Sequence, residues 1–284
     1  MEQKLAIKEK IGYGLGDAAA NLVWRGALAY LAVFYTDTFG LSAAAAAMLF
    51  LIVRLSDGVT DIIMGMIADR TKTKMGKFRP WILGSTPFLG LFMVLCFTTP
   101  NFGSTGMLVY AYLTYIGLTL AYTVNNVPYS ALMGVITSDD RERTSLSGFR
   151  FAGAFLGGLL VMGCLPMMVE YFGAGNDARG YQYTMYVFAT LLVALMLITV
   201  YSTKERVPVA LDSTATLKQE LIDLSRHLPL ILIPLASITA FFYFRNLLTA
   251  AIFVAVMMIC AVFVRKLIAR PASSNSRSQQ DIID

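Results

Sequence analysis

Apolar residues run along this chain in blocks of about 20 or more, the length a helix needs to cross a hydrocarbon core. Shorter polar stretches separate them. The pattern predicts eight transmembrane helices, over residues 12–36, 42–68, 80–99, 106–135, 148–172, 181–202, 228–244 and 247–268. The fold class expected is therefore an all-α polytopic membrane protein. Residues 1–202 form a six-helix unit, and 203–227 a polar connection. In that connection Leu217, Leu221 and Leu224 share one face, and Thr216 with Gln219 has capping-box spacing, as in a short amphipathic surface helix. Residues 228–268 hold the two additional helices, and 269–284 a polar, disordered tail.

Three of the blocks carry polar stripes that a lipid-facing helix would not. In the second, "RLSDGVTD" (54–61) sets Arg54, Asp57 and Asp61 at i, i+3 and i+7, on one face. A charge at the bilayer centre costs about 2.5–3.5 kcal/mol on insertion scales, so three such residues need a reason. Asp57 and Asp61 are one turn apart, close enough to hold one small cation or share one proton; both cannot ionise cheaply in a low dielectric. The bland alternative, Arg54 neutralising one aspartate, leaves the other unexplained. In the first block Asp17, Asn21 and Arg25 repeat at i+4 with Trp24 beside them. A carboxylate next to an indole suits a sugar; an internal ion pair is the other reading. In the fourth block Tyr115, Thr119, Tyr122, Asn126 and Tyr129 form a third stripe, and Pro128 frees the carbonyl of Val124, which is tolerated where a helix lines a cavity or packs on protein. Small residues, in "GYGLG" (12–16), "AAAAA" (43–47) and the Gly153/Gly157 pair, mark close helix crossings.

Composition agrees with a membrane setting: 57% of residues are hydrophobic and only 14% charged, against about 25% in ordinary globular domains. The net charge of +5 is an orientation signal, not a nucleic-acid footprint. Lys and Arg cluster near the N-terminus, at 70–79, at 141–143, at 204–226 and at 265–277, always on one side of the predicted spans. The opposite side has only Arg179 and Arg245. The positive-inside rule places both termini and the 70–79 loop in the cytoplasm. "MEQKLAIKEK" has no cleavable-signal pattern, so the first span is expected to direct insertion. Cys96, Cys164 and Cys260 sit in apolar blocks as small hydrophobes. The only histidine, His227, lies in the polar connection, and no Walker-type glycine loop occurs. A histidine triad or zinc helix is therefore excluded, and an enzyme is not expected.

Several motifs in order resemble the glycoside–pentoside–hexuronide cation symporters, the melibiose-permease family of the major facilitator superfamily. They are "KEKIGYGLGD" (8–17), "RLSDGVTD" (54–61), "GMIADRTKTKMGKFRPW" (65–81), "YTVNNVPYSAL" (122–132), "SGFRFAG" (147–153) and "TKER" (203–206). The resemblance covers about residues 4–207. It implies that Asp57 and Asp61 are coupling-cation carboxylates, holding sodium or a proton, with Thr123 lining that site. It also implies that Asp17 and Arg150 contact the sugar, and that Asp69 and Arg70 belong to a loop motif that latches helices during transport. Trp24 and Asn126 complete the candidate substrate site. The melibiose-permease branch has an aspartate where this chain has Asn126; the neutral amide lowers the local negative charge and favours proton coupling. Branches resembling the xyloside and glucuronide carriers also have Asn here, followed by Ile or Val and Pro.

The function expected is sugar:cation symport in a bacterial inner membrane. It needs no cofactor beyond the coupling ion, no metal beyond sodium at Asp57 and Asp61, and no nucleic-acid partner. Family members have about twelve spans in two halves around a central site. This chain has one half and two spans without a recognised motif, so it is expected to be incomplete and not to accumulate sugar alone. The alternatives are a non-transporting membrane remnant and a half-transporter that needs a partner chain supplying the second half.

Overall fold

A computed structural model describes residues 4–207, which form six long helices. Their order is α1 (Ile7–Gly26), α2 (Ala43–Arg70), α3 (Arg79–Cys96), α4 (Ser104–Ile136), α5 (Asp140–Gly173) and α6 (Asp177–Ser202). The expected spans at 228–244 and 247–268, the amphipathic helix and the tail lie outside the described residues. So do His227 and Cys260. Among the described residues α3 to α6 are long and apolar enough to cross a membrane by length and composition. No strand is present among them.

Local chemistry sets the helix ends. The Ser42 hydroxyl accepts from the Ala45 N–H at 3.2 Å, and the Asp139 carboxylate from Arg141 and Glu142 N–H at 2.7 and 3.1 Å. Asn176 caps α6 through the Arg179 N–H. Each cap supplies an acceptor to amides that have no partner inside the helix. α5 starts eight residues before its apolar block, because Asp139 lets the polar "DRERTSL" wind as the first two turns. The first span does not end with α1. It continues through two wide π turns, Ala27–Leu31 and Phe34–Thr38, where each turn holds an extra residue.

α1 packs on α5 and α6, α3 on α4 and α6, α5 on α6, and α2 on α4. The α1–α5 crossing is backbone on backbone. A Cβ at Gly153 would meet the Gly14 carbonyl and one at Gly157 the Ala18 carbonyl, so only glycine permits this approach. Tyr13 and Tyr129 join α1 to α4: each hydroxyl donates to the other residue's backbone carbonyl, at 3.2 and 2.6 Å, and their rings stack at 4.9 Å. At the opposite end aromatic rings fill the core, with Phe34, Phe97 and Tyr181 within 5.1–5.7 Å of one another.

The basic loops gather at one end of the bundle. There Glu9 forms a two-pronged pair with Arg206 at 2.7 and 2.8 Å and accepts the Lys204 N–H. The hydrogen-bonded Glu9 carboxylate holds the Arg206 guanidinium above its ordinary pKa. Lys10 pairs with Glu142 at 2.9 Å. The Glu205 carboxylate sits on the N-terminus of α3, accepting the N–H groups of Lys77, Phe78 and Arg79 at 2.7, 2.9 and 3.1 Å. A helix N-terminus carries free amides and partial positive charge, which an anion satisfies. Gly76 takes a positive φ of 111° to open this cradle, and a Cβ there would meet the Glu205 carboxylate. Arg79 completes the tie by donating to the Val200 carbonyl at 2.9 and 2.6 Å.

Candidate functional site

The polar stripes of α1, α2 and α4 converge on one cavity of about 390 Å³. Its walls include Trp24 of α1, Arg54, Asp57 and Asp61 of α2, and Thr119, Tyr122, Thr123 and Asn126 of α4. Asp61 and Thr123 meet directly, the hydroxyl donating to Oδ1 at 2.8 Å. Asp57 faces Arg54, with Oδ2 3.5 Å from Nη1. The guanidinium is also drawn to the face of Trp24, its carbon 4.7 Å from the ring centroid. Trp24 stacks in turn on Tyr122 at 5.2 Å. Arg54 thus belongs both to the Asp57 carboxylate and to the aromatic wall, and the indole is already engaged by a cation and a ring. The Asp57 side chain is 20% exposed and that of Arg54 61%, so this wall is open to whatever enters the cavity.

Asp17 and Arg150 are brought together, but beside the cavity, not on its wall. Arg150 Nε donates to Asp17 Oδ2 at 2.5 Å and Nη2 reaches Oδ1 at 3.4 Å. The guanidinium carbon lies 5.2 Å from the Tyr129 ring centroid and 5.8 Å from that of Tyr13. The close α1–α5 crossing sets this distance, since Gly153 follows Arg150 by one turn and Gly14 precedes Asp17 by three residues. A partly buried pair of this kind needs its full set of hydrogen bonds to offset desolvation. Here carboxylate, guanidinium and two tyrosines supply that environment.

The other predicted residues separate. Asn21 turns back on its own helix, donating to the Asp17 carbonyl at 2.9 Å, and Arg25 is exposed. The α4 stripe divides: Tyr115 packs edge-on against Phe50 at 5.0 Å, and Tyr129 turns to α1. Asp69 and Arg70 end α2; Arg70 donates to the Met66 carbonyl at 3.2 Å and Asp69 is exposed. Ties at that end also run through Glu9 and Glu205, which the pattern of the chain did not single out. The quoted "TKER" contains Glu205, yet its target lies 126 to 128 residues away. Buried Asn125, next to Asn126, was also missed: its amide donates to the Ile82 carbonyl, Ser85 and Thr86 at 2.9–3.2 Å, fixing α4 to α3.

A helical bundle with four apolar membrane-length helices and a charged cavity between α1, α2 and α4 fits a membrane transporter. The chain belongs to the MFS/sugar transport protein family, which it matches over residues 12–272. That match runs well past the last motif quoted above. The chain is 45% identical over 208 residues to the uncharacterized symporter YnaJ of Bacillus subtilis, covering 72% of this chain and 45% of that one. It is 47% identical over 204 residues to the putative glycoside/cation symporter YagG of Escherichia coli, covering 72% and 44%. The isoprimeverose transporter of Lactiplantibacillus pentosus is 37% identical over 230 residues, covering 79% and 48%. The chain spans about half the length of these curated relatives. It is a multi-pass membrane protein of a transporter family and not an enzyme.

Proposed function

We propose that this chain forms the cation- and sugar-handling half of a sugar or glycoside:cation symporter of the bacterial inner membrane. Both termini and the 70–79 loop then lie in the cytoplasm. The observation that carries the reading is the single cavity in which two carboxylates, a hydroxyl donor, an amide and an indole meet. With Arg54 opposing one of the two aspartates, the group retains one excess negative charge when both are ionised. A monovalent cation, sodium or a proton, removes it. Asp57, Asp61 and Thr123 take the cation. Trp24 and Asn126 take the sugar on the facing walls, an aromatic edge and an amide that donates to and accepts from hydroxyls. Asp17 and Arg150 add polar contacts when sugar hydroxyls exchange into their pair. Asp69 and Arg70, at the end of α2, latch helices on the cytoplasmic side. Because the cation sits between α2 and α4, its arrival changes how the two are held together, which is what coupling to movement requires. The exposed Arg54 wall would face the second body of the transporter, from the same polypeptide or a partner chain.

In the active transporter, Asp57→Asn and Asp61→Asn are expected to abolish cation-driven accumulation while exchange of preloaded sugar partly survives. Counterflow and gradient-driven uptake in proteoliposomes measure the two separately. Accumulation at the parent rate with unchanged cation dependence would remove the assignment. Coupling free energies of this type are about 1–3 kcal/mol, so the cation dependence of sugar affinity should fall about 5- to 150-fold.

A further inference from the structure

A second and larger cavity, of about 680 Å³, lies on the far side of α4. Gly84, Phe88 and Phe92 of α3 face Leu120, Ala121 and Val124 of α4 across it. With 3.6 residues per turn, Leu120, Ala121 and Val124 project about opposite to Thr119, Tyr122, Thr123 and Asn126, which line the charged cavity. The groove therefore opens away from the polar path, whatever solute that path carries. Phe88 and Leu120 are 58% and 45% exposed. The polar atoms in the wall are turned inward: the Ser85 hydroxyl donates to its own helix at the Trp81 carbonyl, 2.7 Å, and Trp81 Nε1 donates to Thr71 at 2.7 Å. What remains is a hydrocarbon surface within two membrane-spanning helices. At one end its lining passes to Thr71 and Thr73, between which and after which stand the exposed Lys72 and Lys74.

We propose that this α3–α4 groove is a binding site for one anionic phospholipid, an acyl chain lying along Phe88 and Phe92 and the headgroup phosphate held by Lys72 and Lys74. Charge complementarity selects this occupant. A basic segment next to a span attracts anionic headgroups, and the adjoining groove offers the chain a wall without polar groups. A soluble apolar ligand would leave the lysines unused, and a packed helix would bring no anion to them.

The test uses the full 284-residue chain in nanodiscs of mixed phosphatidylcholine and phosphatidylglycerol. The photoreactive substitution Phe88→p-benzoylphenylalanine captures the occupant, and mass spectrometry identifies the adduct. Phosphatidylglycerol is expected to be enriched over its bulk share by about tenfold or more, the size two lysines near an anionic surface produce. Lys72→Gln with Lys74→Gln, both at exposed positions, should return the adducts to the bulk ratio. Gly84→Phe fills the groove, and because a Cβ at Gly84 meets nothing within 4 Å it should do so without displacing the backbone. It should lower all lipid adducts several-fold. Adducts at the bulk lipid ratio in the parent, capture of protein in place of lipid, or enrichment unchanged by the double lysine variant would each overturn the proposal.

Discussion

Thr123 and Asp61 show how much one hydroxyl can decide. The threonine is buried and donates to the Asp61 carboxylate, so it orients one oxygen, and under the proposed function the other is left for the cation. Thr123→Val keeps the shape and removes the donor. A hydrogen bond to a charged group contributes about 1.5–3 kcal/mol, so the variant should weaken cation activation about tenfold or more while leaving the fold intact. Titrating cation against sugar uptake, with circular dichroism as a control for folding, reads both effects. If activation is unchanged, Asp61 is held by something other than Thr123. The Trp24 indole near a carboxylate suits a sugar, and the folded chain also engages its ring with Arg54 and Tyr122. Its neighbours come from helices that the local sequence does not mention.

At the scale of elements, the anion on the start of α3 is the most economical tie in the bundle. Glu205 answers three amides that would otherwise be unpaired in a partly buried place. Leaving such groups unsatisfied costs about 1–3 kcal/mol, so Glu205→Ala should lower the melting temperature measurably, and Glu205→Gln, which can still accept, should lower it less. Thermal unfolding in detergent followed by tryptophan fluorescence makes the comparison; equal melting temperatures for parent and both variants would contradict it. The helices themselves were largely legible. Hydropathy marked the positions of the six described helices, four of them long and apolar enough to cross a membrane, and the periodicity of Asp57, Asp61, Thr119, Tyr122 and Asn126 brought them to one cavity because a helix is rigid. What hydropathy could not see was helicity in polar residues, as at the start of α5, where a cap and not burial decides. Nor does any local signal announce that Glu205 reaches Gly76, or that Asn125 rather than Asn126 anchors α4 to α3.

For the whole molecule, the ties from Leu5 to Glu142, Glu9 to Arg206 and Glu205 to Lys77 gather the basic loops at one end. The loop around residue 103 belongs to the other, where Gln182 meets Thr98. The positive-inside rule predicts a cytoplasmic position for the basic end. Single cysteines at positions 6, 75 and 103 in a cysteine-free background test this in whole cells. An impermeant maleimide is expected to label position 103 alone, and labelling at 75 would invert the orientation. The same arrangement divides the bundle by stiffness. α3, α5 and α6 are joined to α1 or to one another by charge and close packing, while α2 rests chiefly on α4, partly through the Asp61–Thr123 bond. Among the described residues, Asp57 and Asp61, proposed above to take the cation, thus sit on a helix that rests chiefly on one neighbour.

The wide turns of the first span hold a reserve of register. Each contains one residue more than an α-helical turn, and a single added residue rotates everything beyond it by about 100°. Phe34 and Tyr35 reach the core because the wide turn absorbs that rotation, and both are fully buried. Deleting Ala29 would remove the extra residue and tighten the first wide turn while leaving these rings on the core face, so the variant should be recovered in near-parent folded yield by size-exclusion chromatography. Inserting one alanine after Leu31 should instead swing the rings out of the core by about 100° and lower that yield several-fold. Like a gear with one tooth to spare, the outer third of this span can change the face it presents by moving a wide turn along the chain, without unwinding the helix.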